Sequence, residues 1–153
     1  MRLWVVSVLL AGSAHAETLH LTCQGGGTAI YYSRSTSRVA DADGQEVGQV
    51  RSETGARESF GSDAEIEIND SGGRIRLPNA IIPTLHGGSG GWFELRDLAV
   101  NERQISAKAA VNILNKPNIR IDRYAATISI EAKGGRFYGT CKPFNPESEQ
   151  RKF

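Results

Sequence analysis

Ala64-Glu65-Ile66-Glu67-Ile68-Asn69, Asp70-Ser71-Gly72-Gly73, Arg74-Ile75-Arg76-Leu77 is the stretch whose reading decides the fold. Ile66 and Ile68 fall on one side of an extended chain, and Glu65 and Glu67 on the other. After the turn the alternation resumes, with Ile75 and Leu77 opposite Arg74 and Arg76. Period two on both sides of a Gly-containing turn predicts a β-hairpin with one apolar and one charged face. Opposed Glu and Arg side chains would pair across the strands, each pair contributing about a few tenths of a kcal/mol at most.

The same period extends outward. Toward the N-terminus, Leu19, Leu21 and Cys23 share a face, with Thr18, His20 and Thr22 opposite. Gly25-Gly26-Gly27 then reads as a break. Thr28–Tyr32 reads as a second strand, Ser33–Asp43 as a polar loop, Gln45–Arg51 as a short weak strand, and Ser52–Ser62 as a polar connection. Toward the C-terminus, Pro78 ends the hairpin, and Ile81-Ile82-Pro83-Thr84-Leu85 makes an apolar connection into the glycine cluster His86–Trp92. Strands are predicted at Trp92–Val100, with an irregularity near Asp97, at Ile105–Ile113, Asn118–Arg123 and Thr127–Ala132, and finally at Arg136–Cys141. No window combines helical spacing with helix caps. About eight or nine short strands at intervals of roughly eight to twelve residues predict an all-β domain, a small antiparallel sandwich or barrel.

The N-terminus carries Arg2, the apolar run Leu3–Leu10, and small residues ending in Ala14-His15-Ala16. That is the layout of a secretory signal peptide with an A-x-A cleavage site. The apolar run is shorter than the roughly 18–20 residues of a membrane helix. Ser13 stands where a lipoprotein box would carry its Cys. The chain therefore divides into a signal peptide over 1–16, a single β domain over 17–141 and a polar tail over 142–153. Export places Cys23 and Cys141 in an oxidising compartment, and neither lies in a C-x-x-C motif, so a structural bridge between them is expected. It would close a loop of over a hundred residues, worth about 4–5 kcal/mol in the chain-entropy model. A transmembrane barrel is not expected. Its strands need about nine to eleven residues, and those read here run nearer five to seven.

Charge and motifs exclude several chemistries. The chain has 18 Lys+Arg against 17 Asp+Glu, and Arg2 leaves with the signal peptide, so the exported product is formally neutral. Neutrality gives no drive toward nucleic acid. Gly87-Gly88-Ser89-Gly90-Gly91 matches G-x-S-x-G literally, but a strand, not a helix, follows it, so no nucleophile elbow is expected. Glu65 and Glu67 would lie about 6.5–7 Å apart by strand rise, a glycosidase-like spacing. The neighbouring Arg74 and Arg76 would keep both ionised. His20 and His86 lack metal-ligand spacing. No cofactor and no catalytic residue are read. The candidate ligand contacts are Trp92, whose glycine neighbours would leave the ring accessible, and His86 in the same cluster.

Gly73-Arg74-Ile75-Arg76-Leu77-Pro78, Leu85-His86-Gly87-Gly88, Gly91-Trp92-Phe93-Glu94-Leu95, Asn115-Lys116-Pro117, Ile121-Asp122-Arg123 and Gly139-Thr140-Cys141 resemble short secreted proteins of Gram-negative, sphingomonad-like bacteria. That family carries no assigned activity; the resemblance implies a periplasmic address. Where its members often have Thr-Gly after Asp-Arg, this chain has Ala125-Ala126. Leu21-Thr22-Cys23 before a Gly-rich turn is also similar to small periplasmic lysozyme-inhibitor barrels. The expected function is a non-enzymatic periplasmic binding or accessory protein that takes a protein or small ligand. The alternative is an inhibitor of a cell-wall hydrolase, inserting a loop into the enzyme cleft. Mass spectrometry of the exported product should find Glu17 at its N-terminus; an intact or lipid-modified N-terminus would refute the cleavage site.

Overall fold

The computed structural model describes residues 17–145. The expected signal peptide lies outside the described residues, as do the last eight residues of the expected tail. Eight antiparallel strands run β1 (Leu19–Ala40), β2 (Glu46–Asn69), β3 (Gly72–Arg76), β4 (Trp92–Val100), β5 (Gln104–Ala109), β6 (Asn118–Asp122), β7 (Thr127–Ala132) and β8 (Gly135–Pro143). Each pairs with its neighbours in sequence, and β8 returns to β1, closing a barrel. Of sandwich and barrel, the structure is the barrel. β8 runs two residues into the segment read as tail, through Lys142 and Pro143.

The alternation read from the sequence sorts the barrel wall. Ile66, Ile75 and Phe93 lie side by side across β2, β3 and β4, all buried. A second inward row runs Ala107, Ile119, Ile130, Phe137 across β5 to β8. Such a small barrel has an interior just wide enough for side chains to fill it. Charged residues occupy the opposite positions. Glu67 bonds Arg74 at 2.5 Å, Glu65 pairs with Arg76, and Arg120, Asp122 and Arg136 also face out. A transmembrane barrel places an apolar band on this outer wall. No helix among the described residues is long and apolar enough to cross a membrane.

Three sequence expectations need correction. The first is the glycine triplet, which does not break the chain: β1 continues through it, paired on both sides. A Cβ on Gly25 or Gly27 would sit 1.9 Å from the Tyr138 carbonyl oxygen or 1.8 Å from that of Arg136. Glycine in a strand marks such close backbone approach. Gly27 is flanked by Phe60 on β2 and Phe137 on β8. Their rings stack with centroids 6.3 Å apart. Beside this seam Cys23 and Cys141, direct cross-strand partners, form the expected disulfide.

The second correction concerns Ser33–Ser62, read mostly as loop. It is instead the outer part of β1 and β2, strands of 22 and 24 residues. From Ile30 outward they leave the barrel as a two-stranded arm, about 35 Å long by strand rise. Every residue from Tyr31 to Ser59 is exposed. A strand that buries neither face has no apolar alternation to betray it. Cross-strand pairs hold it: Arg34 with Glu53 at 3.1 Å, Arg38 with Glu46 at 3.6 Å, and the Ser35 and Ser52 hydroxyls at 2.5 Å. The expectation of uniformly short strands thus fails for β1 and β2. Asp41 Oδ1 accepts the N–H groups of Asp43 and Gln45 and closes the tip.

The third correction is Ile113. β5 stops at Ala109, where the Ala110 N–H turns to the Glu94 carbonyl. Asn112 Oδ1 then accepts the N–H groups of Leu114 and Asn115, which curls the chain out of the sheet. Other details match: the irregularity near Asp97 is a register shift between Arg96 and Ala99, with Asp97 at φ 52°. Ala126, in the turn after Asp122-Arg123, sits at φ 54°, a left-handed conformation that glycine adopts more readily.

Two outcomes follow from this wall. Gly27→Ala drives a methyl into the Arg136 carbonyl, and denaturant unfolding should show a loss of about 1–3 kcal/mol, the usual range for overpacking; an unchanged midpoint would mean the strands can part without cost. At the β6–β7 turn, the N–H groups of Ala125 and then Tyr124 hold the Asp122 carboxyl below its ordinary range. A depressed carboxylate contributes stability above its unfolded value, and that contribution disappears as pH falls through the lowered folded value. Asp122→Asn keeps an acceptor but cannot titrate. The drop in urea midpoint between about pH 7 and about pH 3 should therefore be smaller in the variant than in the parent.

Candidate binding groove

Up-and-down topology distributes the connections unequally between the two barrel ends. One end has the short turns β2–β3, β4–β5 and β6–β7. The other has the arm, the β7–β8 turn, and the two long connections, 77–91 and 110–117. The 3-10 turn Asn79–Ile81 lies across this second end, with Ile81 buried. Outside it lies a groove of about 1070 Å³. Its floor and walls come from Ile82, Leu85 and His86 of one loop, Ile113, Leu114 and Asn115 of the other, and Ile30 and Tyr32 at the arm's root.

Two properties distinguish this groove. Its rim is apolar and open to solvent: Leu85 is 83% exposed, Ile113 90%, Leu114 76% and Tyr32 66%. Such contiguous apolar exposure marks an interaction site, whereas single exposed apolar residues do not. Asn115 is 7% exposed, and its Oδ1 is buried with no hydrogen-bond partner among the described residues. A buried acceptor left unpaired costs about 1–3 kcal/mol. The charged lining is cationic only: Lys133 contributes, and no Asp or Glu does. Lys133 makes no salt bridge with another described residue.

Of the two candidate residues, His86 reaches this groove. Its ring stands edge-on to Phe93, centroids 5.8 Å apart, and Nδ1 lies 2.7 Å from the Gly87 carbonyl oxygen. Because a carbonyl only accepts, that nitrogen carries a proton. Trp92 lies elsewhere. It faces the outer wall beside Arg76, and the Arg74 guanidinium covers its ring at 4.5 Å from the centroid. A cation over an indole face is a favourable contact in its own right, so that face of Trp92 is not open to a ligand. The structure does not bring His86 and Trp92 together.

The remaining sequence motifs find ordinary roles. The glycine loop is a folded turn: Gly88, Gly90 and Gly91 have φ of 74°, 60° and 78°. Ser89 exchanges backbone hydrogen bonds with Trp92, and β4 follows directly, so Ser89 sits on no nucleophile elbow. Glu65 and Glu67 are both engaged by arginines, and His20 Nδ1 lies 3.6 Å from Glu67. Among the described residues no group of three or more His, Cys, Asp or Glu could hold a metal.

Leu85, Leu114, Asn115 and Tyr32 were not singled out by sequence reasoning, and Ile113 was placed at the end of the strand Ile105–Ile113. One signal was available: Ile113-Leu114 are adjacent apolar residues beside Asn115-Lys116-Pro117, and adjacent positions on a strand cannot both face inward. No protein-family model, curated protein or solved structure matches the chain, so the groove stands on its own geometry.

Proposed function

We propose that this chain is a non-enzymatic periplasmic binding protein, exported by a cleaved signal peptide, that holds a small amphipathic ligand in the groove beside the arm. The observation that carries this reading is the solvent-open apolar groove whose one charged lining residue is Lys133. Ligand sites combine a mostly apolar lining with a few placed polar groups. The ligand that fits has an apolar body and an acidic group within reach of Lys133. The Cys23–Cys141 bridge suits an oxidising compartment outside the cytoplasm.

The arm keeps the second reading in play. An exposed ribbon closed by a tight Asp41-to-Gln45 tip is a shape able to enter the cleft of a cell-wall hydrolase. One experiment separates the two. Anilinonaphthalene sulfonate, which has an apolar body and an anionic group, should bind the mature protein saturably at one site and be displaced by dodecanoate. Leu114→Asp, a change at an exposed position, should weaken this binding about tenfold or more, from the apolar contact removed. No saturable binding, or equal binding by the variant, would reject the groove as a ligand site. Loss of peptidoglycan hydrolysis on adding excess protein to a lysozyme, unaffected by Leu114→Asp, would favour the inhibitor.

A further inference from the structure

The arm carries a second, independent feature. Both of its edges lack a neighbouring strand among the described residues: β8 pairs with β1 only as far as Ala29, and β3 reaches β2 only from Glu65 onward. Two strands alone are marginal in water, and a third or fourth strand is what gives such a ribbon independent stability. Natural edges are commonly blunted by Lys, Pro or bulges. Between Tyr31 and Ala40 the β1 edge carries Arg34 and Arg38 with no acid. Laying that edge against itself opposes like charges. The β2 edge differs. From Gly48 to Ile68 its pairing is regular, with a bulge at Val47 confined to the tip, and Glu46–Glu58 contains no Lys and no Pro but mixes Glu46, Glu53 and Glu58 with Arg51 and Arg57.

We propose that two copies of this chain associate through the β2 edges of their arms, forming a four-stranded antiparallel sheet about a two-fold axis at Ser52. Ser52 lies at the middle of the arm's β2 segment, so this register overlaps the arms most fully while the two barrels lie at opposite ends. A two-fold contact is self-complementary by construction. Centred on Ser52, Arg51 of one copy stands directly opposite Glu53 of the other, on both sides of the axis. Val50 stands opposite Thr54. Opposite charges and β-branched residues directly across an antiparallel pair are favourable. Arg51 and Glu53 lie on the charged face of the ribbon, with Arg34, Thr36 and Arg38. The other face offers Ser33, Ser35, Val50, Ser52 and Thr54, a row without charge.

Sedimentation of the mature protein should reveal a concentration-dependent dimer. Ser52→Cys, at the axis, should cross-link two chains under mild oxidation. Ser35→Cys, equally exposed and on the same face but at the β1 edge, should not. Arg51→Glu sets Glu against Glu twice and should weaken the dimer about tenfold. Adding Glu53→Arg restores opposite pairs and should restore the dimer. A monomer at all concentrations would overturn the proposal. Equal cross-linking at positions 35 and 52, or a charge swap that fails to rescue, would overturn it as well. None of these outcomes depends on ligand binding in the groove.

Discussion

An eight-stranded sheet becomes a barrel only where its first and last strands meet, and here that meeting is a contact of backbone against backbone. Gly25 and Gly27 on β1 leave no room for a Cβ against the carbonyls of Tyr138 and Arg136 on β8. Phe60 and Phe137, the cross-strand partners of Gly27 on either side, stack their rings. The Cys23–Cys141 bridge lies two residue pairs along the same seam. A covalent link between strands that are adjacent in space and 118 residues apart in sequence narrows the unfolded ensemble. Once the seam is closed, the inward row Ala107–Ile119–Ile130–Phe137 continues to Gly27 and Phe60 without a gap.

Closure also sets where function can reside. With the interior filled by side chains, a ligand has access only to the outer wall or to an end. The outer wall is laced with ion pairs, and even Trp92 is covered there by Arg74. Of the ends, one consists of tight turns such as that of Asp122, whose carboxylate accepts two backbone N–H groups. The other gathers two long loops and the arm's root, and there the apolar side chains that found no room inside are left exposed. Loops on a rigid scaffold are the usual carriers of binding.

The arm shows a different balance. It buries almost nothing, so its stability comes from ladder hydrogen bonds and pairs such as Arg34–Glu53, which are individually weak at an exposed site. Strand formation there owes little to the hydrophobic effect that organises the barrel, and the edge pairing proposed for it would draw on the same backbone groups that the barrel strands satisfy within one chain.

The division between sequence and structure follows this physics. The hairpin Ala64–Leu77, the inward isoleucines, the turn at Asp70, and the disulfide were legible because each leaves a local trace: alternation where one face is buried, turn residues where the chain reverses, and two cysteines with one possible pairing. Of the residues that line the groove, only His86 had been named from the sequence as a ligand contact. Trp92 was read as accessible because its neighbours in sequence are glycines, whereas the residue that covers it, Arg74, is brought there by strand pairing. Ile113 was read as part of a strand because period two cannot register that Asn112 bends the chain out of the sheet. The glycine triplet looked like a break because its partner backbone, more than a hundred residues away, is invisible locally. The arm was missed because a strand exposed on both faces has no apolar pattern. The sequence by itself therefore determined which side chains face in and where the wall turns. Only the tertiary structure decided that the wall closes, that the apolar loops gather at one end, and that two polar segments reach into solvent as a single ribbon. Each of those outcomes depends on contacts between residues far apart in the chain, which no local period records.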